Sequence, residues 1–210
     1  MTTTDLAAVL AGSRLLPVLT VPSVASAGPL ADALAAGGAR CAEVTFRTPD
    51  AERVVKAMAA HGVLTVGAGT VLTAEQAERA VAAGARFLVS PGFDDEVIDA
   101  ASELGVPVAP GVATATELMR ALKAGVDTVK LFPAEPLGGT AMLRALAAPF
   151  PRARFIPTGG IGPDQLPAYL GHPSVLAVGG SWIATPGHLE RGAYDEIRRL
   201  TAEAVERTAP

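Results

Sequence analysis

Thr128-Val129-Lys130-Leu131-Phe132-Pro133 is a short apolar run with a lysine near its centre and a proline at its end. Extended, it alternates its side chains between two faces, so Val129 and Leu131 point one way while Thr128, Lys130 and Phe132 point the other. The lysine cannot share the face of its apolar neighbours. Of the three lysines in the chain, Lys56 and Lys123 fall in stretches of helical pattern where an ammonium reaches water. Lys130 alone falls in a strand. An ammonium in such a place is paired, solvated by a cavity, or kept partly neutral and nucleophilic.

Outward from this strand one unit repeats. Before it lie the strands Leu15 to Val21, Cys41 to Phe46, Thr65 to Thr70, Phe87 to Pro91 and Val106 to Val112; after it lie Arg154 to Thr158 and Val175 to Gly179. Helical patterns occupy the intervals: Ser26 to Gly37, Asp50 to His61, Thr73 to Ala83 with Thr73 and Gln76 as a capping box, Asp94 to Leu104, Thr114 to Ala124, Thr140 to Ala148 and Gln165 to Leu170. A further short helix, Thr4 to Gly12 with Thr4 or Asp5 at its cap, precedes the set, and a closing helix runs from about Leu189 to Arg207. Points near the strand ends, at Pro17, Glu43, Gly67, Ser90, Ala109, Lys130, Thr158 and Gly179, are separated by roughly 19 to 28 residues, the length of a strand, a crossover helix and two loops. Alternating βα units mean a parallel sheet. Eight of them close most naturally into a (β/α)8 TIM barrel with an extra N-terminal helix; a doubly wound open sheet is the competing closure.

At 210 residues, 50 % hydrophobic and a formal charge of -4, the chain reads as one domain, 1–210, with no linker or charge block dividing it. The mild acidity, spread without runs, offers no footprint for nucleic acid or a membrane surface. The single cysteine, Cys41, permits no internal disulfide and fits a reducing compartment. Met1 to Leu16 does not read as a signal peptide, and no apolar run reaches about 18 residues, so a cytoplasmic protein is expected.

In a barrel the chemistry gathers at the C-terminal ends of the strands. By parity Glu43, Thr45 and Arg47 share the inner face there, and Val44 and Phe46 face the helices. The bland reading is a Glu43/Arg47 salt bridge that fills the interior, or Lys130 as the structural partner of Glu43. A buried group of mixed charge is costly to keep as mere filling, however. In an apolar enclosure beside Arg47 the charged form of a lysine is disfavoured, and a free amine attacks carbonyls; Glu43 would then act as acid and base. Two glycine-rich turns, Thr158-Gly159-Gly160-Ile161 and Gly179-Gly180-Ser181, offer bare backbone N–H groups to a phosphate at the position where barrels commonly bind one. Gly67-Ala68-Gly69-Thr70 has only part of a dinucleotide fingerprint. His61, His172 and His188 stand at no metal spacing, so loop or surface roles are expected, with no metal. Asp94, Asp95 and Glu96 suit a helix N-terminus, Cys41 a small buried site, and Trp182 and the closing helix packing.

Together Glu43-Val44-Thr45-Phe46-Arg47-Thr48, Val66 to Leu72, Ser90-Pro91-Gly92, Lys130 to Glu135, Pro157 to Ile161 and Gly179 to Trp182 resemble the 2-keto-3-deoxy-6-phosphogluconate (KDPG) and 4-hydroxy-2-oxoglutarate (KHG) aldolases, from about Leu15 to Ala184. The resemblance implies a class I aldolase on a (β/α)8 barrel, usually a homotrimer. It implies Lys130 as the Schiff-base lysine, Glu43 as the proton shuttle, Arg47 and Thr70 as holders of the pyruvyl carboxylate, and Pro91 and Phe132 as pocket walls. Thr158, Gly159, Gly160 and Ser181 would be the phosphate-side contacts. Leu131, Phe46 and Pro136-Leu137 depart from the family pattern without touching the lysine or the glutamate. The reaction so implied is reversible cleavage of a phosphorylated 2-keto acid to pyruvate and glyceraldehyde 3-phosphate, with no cofactor, the iminium replacing a Lewis acid. Three alternatives remain at this level: preference for the 6-phosphogalactonate epimer, preference for 4-hydroxy-2-oxoglutarate, and a phosphosugar-binding barrel without turnover.

Overall fold

The computed structural model of the chain describes residues 5–10 and 12–208. Its elements run α1 (Leu6–Val9), β1 (Leu15–Leu19), α2 (Ala27–Ala36), β2 (Cys41–Thr45), α3 (Ala51–His61), β3 (Thr65–Gly69), α4 (Ala74–Ala82), β4 (Leu88–Val89), α5 (Asp95–Glu103), β5 (Val108–Ala109), β6 (Gly111–Val112), α6 (Ala115–Lys123), β7 (Thr128–Leu131), α7 (Gly139–Ala147), β8 (Arg154–Phe155), α8 (Leu166–Leu170), β9 (Val178–Gly180), α9 (Pro186–Glu190) and α10 (Tyr194–Glu206). All described strand pairs are parallel. One sheet has six strands in the order β5-β4-β3-β2-β1-β9, the other three in the order β6-β7-β8. Isolated parallel bridges join Phe155 to Val175 and Thr158 to Gly179.

Local chemistry sets the helix starts. Thr73 Oγ1 accepts from Gln76 N at 3.2 Å while Gln76 Oε1 accepts from Leu72 N at 2.8 Å, and Asp94 accepts from Val97 N at 3.0 Å. Asp5 caps α1 by accepting from Ala7 N at 3.0 Å; the other expected cap, Thr4, lies outside the described residues. His61 pairs with Asp32 at 2.7 Å, and His172 and His188 each accept a nearby backbone N–H through Nδ1, so all three serve surface or local loop structure.

Two expected elements are each split in two, and the strands expected over Phe87 to Pro91, Arg154 to Thr158 and Val175 to Gly179 are shorter, as β4, β8 and β9. The strand expected over Val106 to Val112 is two pieces, β5 and β6, because Pro110 between them has no N–H to give a ladder; its carbonyl still accepts from Lys130 N at 2.9 Å. The closing helix is also two, α9 and α10, since Gly192 takes a φ of 62° that breaks the helical run.

Strand parity sorts the buried residues into two apolar clusters. Leu15, Ala42, Val44, Val66, Ala68, Leu88, Val108, Val129, Leu131, Phe155 and Val178 join the helices in the larger one. Leu16, Cys41, Phe87, Val89, Ala109, Ile156 and Ala177, from the opposite faces, form a smaller one with Leu6 and Leu10 of the α1 segment. That smaller cluster is an apolar layer. Glu43 lies two residues beyond Cys41 on the same face, and Lys130 two beyond Thr128.

Burial pushes the Cys41 thiol up from 9.0 to about 11, a Ser13 contact opposing the rise. Unfolded, the thiol ionises from about pH 9, so between pH 9 and 11 the unfolded chain binds fewer protons and stability falls as pH rises. Comparing urea midpoints of the wild type and Cys41→Ala should show about 2 kcal/mol of extra alkaline loss in the wild type. At pH 8 a thiol reagent should leave the native chain unlabelled; prompt labelling would contradict the buried placement.

Candidate active site

Lys130 and Glu43 reach the same space from different strands. Lys130 is 3 % exposed and Glu43 0 %, and Lys130 Nζ donates to Glu43 Oε1 at 3.3 Å. The other carboxylate oxygen, Oε2, is buried with no protein partner. Nζ also lies 5.1 Å from the centroid of the Phe132 ring, a cation–π distance. A buried pair of this kind is weak evidence for stability, since desolvating two charges offsets their attraction. What it does secure is an amine and a carboxylate in contact, away from bulk water. The carboxylate has room because position 69 is glycine: a Cβ there would land on Glu43 Oε1. Gly67, on the same strand, faces the Phe87 ring in the same way. Two side chains crossing β3, rather than a nucleotide, account for the Gly67-Ala68-Gly69 pattern.

The Glu43/Arg47 salt bridge read from parity is absent among the described residues. Arg47 Nε donates instead to Thr70 Oγ1 at 3.0 Å, bringing together the two residues expected to hold a carboxylate. Thr70 has a φ of 55°, a conformation that a β-branched residue adopts at a cost of roughly 1–2 kcal/mol.

The remaining expected residues gather around the ends of β4, β7, β8 and β9. Pro91 follows β4, and its carbonyl packs where a Cβ on Gly111 would stand; Gly111 is the register partner of Lys130. Phe132 lies against Gly159, whose Cβ would be 3.2 Å from the ring. Thr158 is buried, its hydroxyl donating to Ile156 O at 3.3 Å, and it occupies the space a side chain at Gly179 would need. Gly159 and Gly160 take φ of 103° and 80°, as a turn of bare N–H groups requires. Gly179 and Gly180 do not form such a turn. They belong to β9, and they are glycines because Thr158 and the Trp182 ring come close; Gly179 N is spent on Pro157 O at 2.9 Å. The turn begins at Ser181, which is exposed. Among the described residues the N–H groups of Gly159, Gly160, Ile161, Ser181 and Trp182 donate to no protein acceptor.

Sequence reasoning assigned nothing to Glu135, Gln165 or Tyr169. Tyr169 OH donates to Glu135 Oε1 at 2.5 Å and Gln165 Nε2 to Glu135 Oε2 at 3.4 Å. Burial, then the Glu135 carboxylate, holds the Tyr169 phenol well above its ordinary range. No local signal marks this contact, because its partners are 30 and 34 residues apart. Among the described residues no group of three or more His, Cys, Asp or Glu is placed to hold a metal ion, and no helix is long and apolar enough to cross a membrane.

A family model described as KDPG and KHG aldolase matches residues 6–200. The chain belongs to the KDPG and KHG aldolase family. Within that aldolase family, the 2-dehydro-3-deoxy-phosphogluconate aldolase of Treponema pallidum (strain Nichols) is 48 % identical over 194 residues, 92 % of each chain. The crystal structure of the KDPG aldolase from Legionella pneumophila, with pyruvate captured at low pH as a covalent carbinolamine intermediate, superposes with a TM-score of 0.92 at 40 % identity, covering 96 % of this chain and 98 % of that one. The aldolase of Zymomonas mobilis ZM4, crystallised with 3-phosphoglycerate, gives 0.91 at 41 % identity, covering 97 % and 96 %.

Proposed function

We propose that this member of the aldolase family is a class I aldolase that reversibly cleaves 2-keto-3-deoxy-6-phosphogluconate to pyruvate and glyceraldehyde 3-phosphate. The observation that carries the reading is the buried Lys130–Glu43 contact at 3.3 Å with Glu43 Oε2 left over. Lys130 sheds a proton toward the neighbouring carboxylate, and its lone pair attacks the C2 ketone to give a carbinolamine. Glu43 returns that proton to the carbinolamine hydroxyl, which leaves as water, so the iminium forms and the carboxylate is restored. Glu43, directly or through a water, takes the C4 hydroxyl proton; the C3–C4 electron pair moves into the iminium, the aldehyde leaves, and an enamine remains. Protonation at C3 and hydrolysis release pyruvate and restore the amine. The pyruvate captured covalently in the Legionella relative supports the first step, and 3-phosphoglycerate in the Zymomonas relative supports a phosphate end.

Arg47 and Thr70 hold the pyruvyl carboxylate in this reading, Pro91 and Phe132 wall the pocket, and Thr158, Gly159, Gly160 and Ser181 take the phosphate, Gly179 and Gly180 serving by their smallness. The reading includes a single domain closed as a (β/α)8 barrel: β5 runs into β6 across Pro110, and the Thr158–Gly179 bridge links the β8 run to β9. A cytoplasmic homotrimer follows from the family likeness.

Borohydride reduction in the presence of pyruvate tests the central step. A pyruvate-derived mass should appear on the Lys130 peptide alone; its absence there, with turnover intact, would remove Lys130 from the mechanism. Comparing kcat/KM across the gluconate substrate, its galactonate epimer and 4-hydroxy-2-oxoglutarate checks the substrate assignment.

Thr70→Gly separates holding from folding. Relief of the φ of 55° should leave stability unchanged or raised by about 1 kcal/mol. Loss of the Arg47 contact should raise KM about tenfold. A variant with unchanged KM would show that the threonine hydroxyl holds nothing.

A further inference from the structure

The turn assigned to the phosphate is itself held at both ends. Gly159 O accepts from Glu135 N at 3.0 Å, and Thr158 O from Ala134 N at 2.8 Å. At the far end Gly162 N donates to Gln165 Oε1 at 2.7 Å. Between these anchors stand the N–H groups of Gly159, Gly160 and Ile161, which have no protein acceptor among the described residues.

The same three side chains join the anchors. Glu135 receives the Tyr169 hydroxyl at 2.5 Å and the Gln165 amide at 3.4 Å, so its two oxygens are each occupied. Tyr169 is 0 % exposed. Two glycines make the slot: a Cβ on Gly160 would stand 2.8 Å from Glu135 Cβ, and one on Gly139 would stand 3.0 Å from Glu135 Oε1 and 3.3 Å from Tyr169 OH. A carboxylate beside an anion site is unfavourable by charge alone. Its presence here, tied down by two donors and attached through its own backbone to the turn, calls for a mechanical role.

We propose that Glu135, Tyr169 and Gln165 are positioning residues that hold the Gly159–Gly162 turn with its N–H groups convergent, and thereby set the preference for phosphorylated over unphosphorylated substrate. The inference rests on the reading of this turn as the phosphate end. These residues touch neither the amine nor the bond that breaks, so their effect falls on binding of the phosphate.

The test measures kcat and KM for 2-keto-3-deoxy-6-phosphogluconate and for unphosphorylated 2-keto-3-deoxygluconate in the wild type, Tyr169→Phe, Glu135→Ala and Glu135→Gln, with borohydride trapping of pyruvate in each. Tyr169→Phe and Glu135→Ala should raise KM for the phosphorylated substrate about tenfold, the scale of a lost charge-assisted hydrogen bond. Their kcat, their pyruvate trapping and their activity on the unphosphorylated substrate should stay within about twofold. Glu135→Gln should fall between, because its amide oxygen still accepts from Tyr169. If Glu135 acted only as a nearby negative charge, Glu135→Ala would bind the phosphorylated substrate more tightly, and that result overturns the proposal. Equal losses on both substrates, or a preference unchanged in all three variants, overturn it too while leaving the aldolase reading in place. A wild type with no preference for the phosphorylated substrate overturns the phosphate assignment and this inference together.

Discussion

Lys130→Met should abolish turnover, with kcat falling by about 10⁴-fold or more, because in the proposed mechanism no other amine among the described residues stands where the ketone is attacked. Of the two other lysines, Lys56 lies on α3 and Lys123 ends α6, both exposed, so neither substitutes. The same change removes the only hydrogen-bond partner, among the described residues, of a carboxylate that is 0 % exposed. Leaving such a charge unpaired costs about 3–5 kcal/mol, which lowers Tm on the order of ten degrees for a chain of this size. The double variant Lys130→Met/Glu43→Gln should recover most of that stability and none of the activity. Calorimetry and a coupled pyruvate assay read the two effects separately. A single variant that melts like the wild type, or a double variant no more stable than the single, would mean that the two groups are not mutually dependent.

Gly69→Ala should cripple the enzyme without altering any group that does chemistry. The new Cβ lands on Glu43 Oε1 and comes within 2.5 Å of both Cδ and Cγ, so the glutamate must swing off Lys130 or β3 must move. β3 is fixed in register by five pairs with β2, from Cys41–Thr65 to Thr45–Gly69, and Gly69 O accepts from Phe46 N at 2.7 Å; the side chain is the softer element. Displacing the proposed proton shuttle should cost about 10²–10³ in kcat, with overpacking adding about 1–3 kcal/mol of instability. Gly67→Ala is the control, because it strikes the Phe87 ring instead: it should lower Tm while pyruvate still reacts with Lys130. Comparable kcat losses for both alanine variants would mean that the glutamate's place against Gly69 has no special bearing on the reaction.

That Lys130 and Glu43 turn away from their apolar neighbours was legible from alternation alone, since a strand leaves a charged residue only two directions to point; that Glu43 meets Lys130 and not Arg47 was not. The element order was legible for a similar reason: several helices carry a start signal such as Thr73 with Gln76 or Asp94 with Val97, and these are local. Strand ends were not. β4 is only Leu88–Val89 and β8 only Arg154–Phe155, because regular pairing stops where loops take over, and apolar composition continues past that point. Gly179-Gly180 misled for a physical reason: glycine serves either a backbone turn or a close approach, and only the approach of Thr158 and Trp182, distant or masked in a linear reading, tells which. Glu135 was visible as part of a motif, yet its partners lie beyond a whole helix and strand, so nothing nearby in the chain announces them.

α1 and the Leu16–Cys41–Phe87 layer pack apolar side chains together at one end of the strands, so on the proposed reading ligands enter from the other. The proposed placement of the phosphate end beside Gly159 and Ser181 then makes the aldehyde the first product out, ahead of the fragment tethered at Lys130, an order that product-inhibition patterns read.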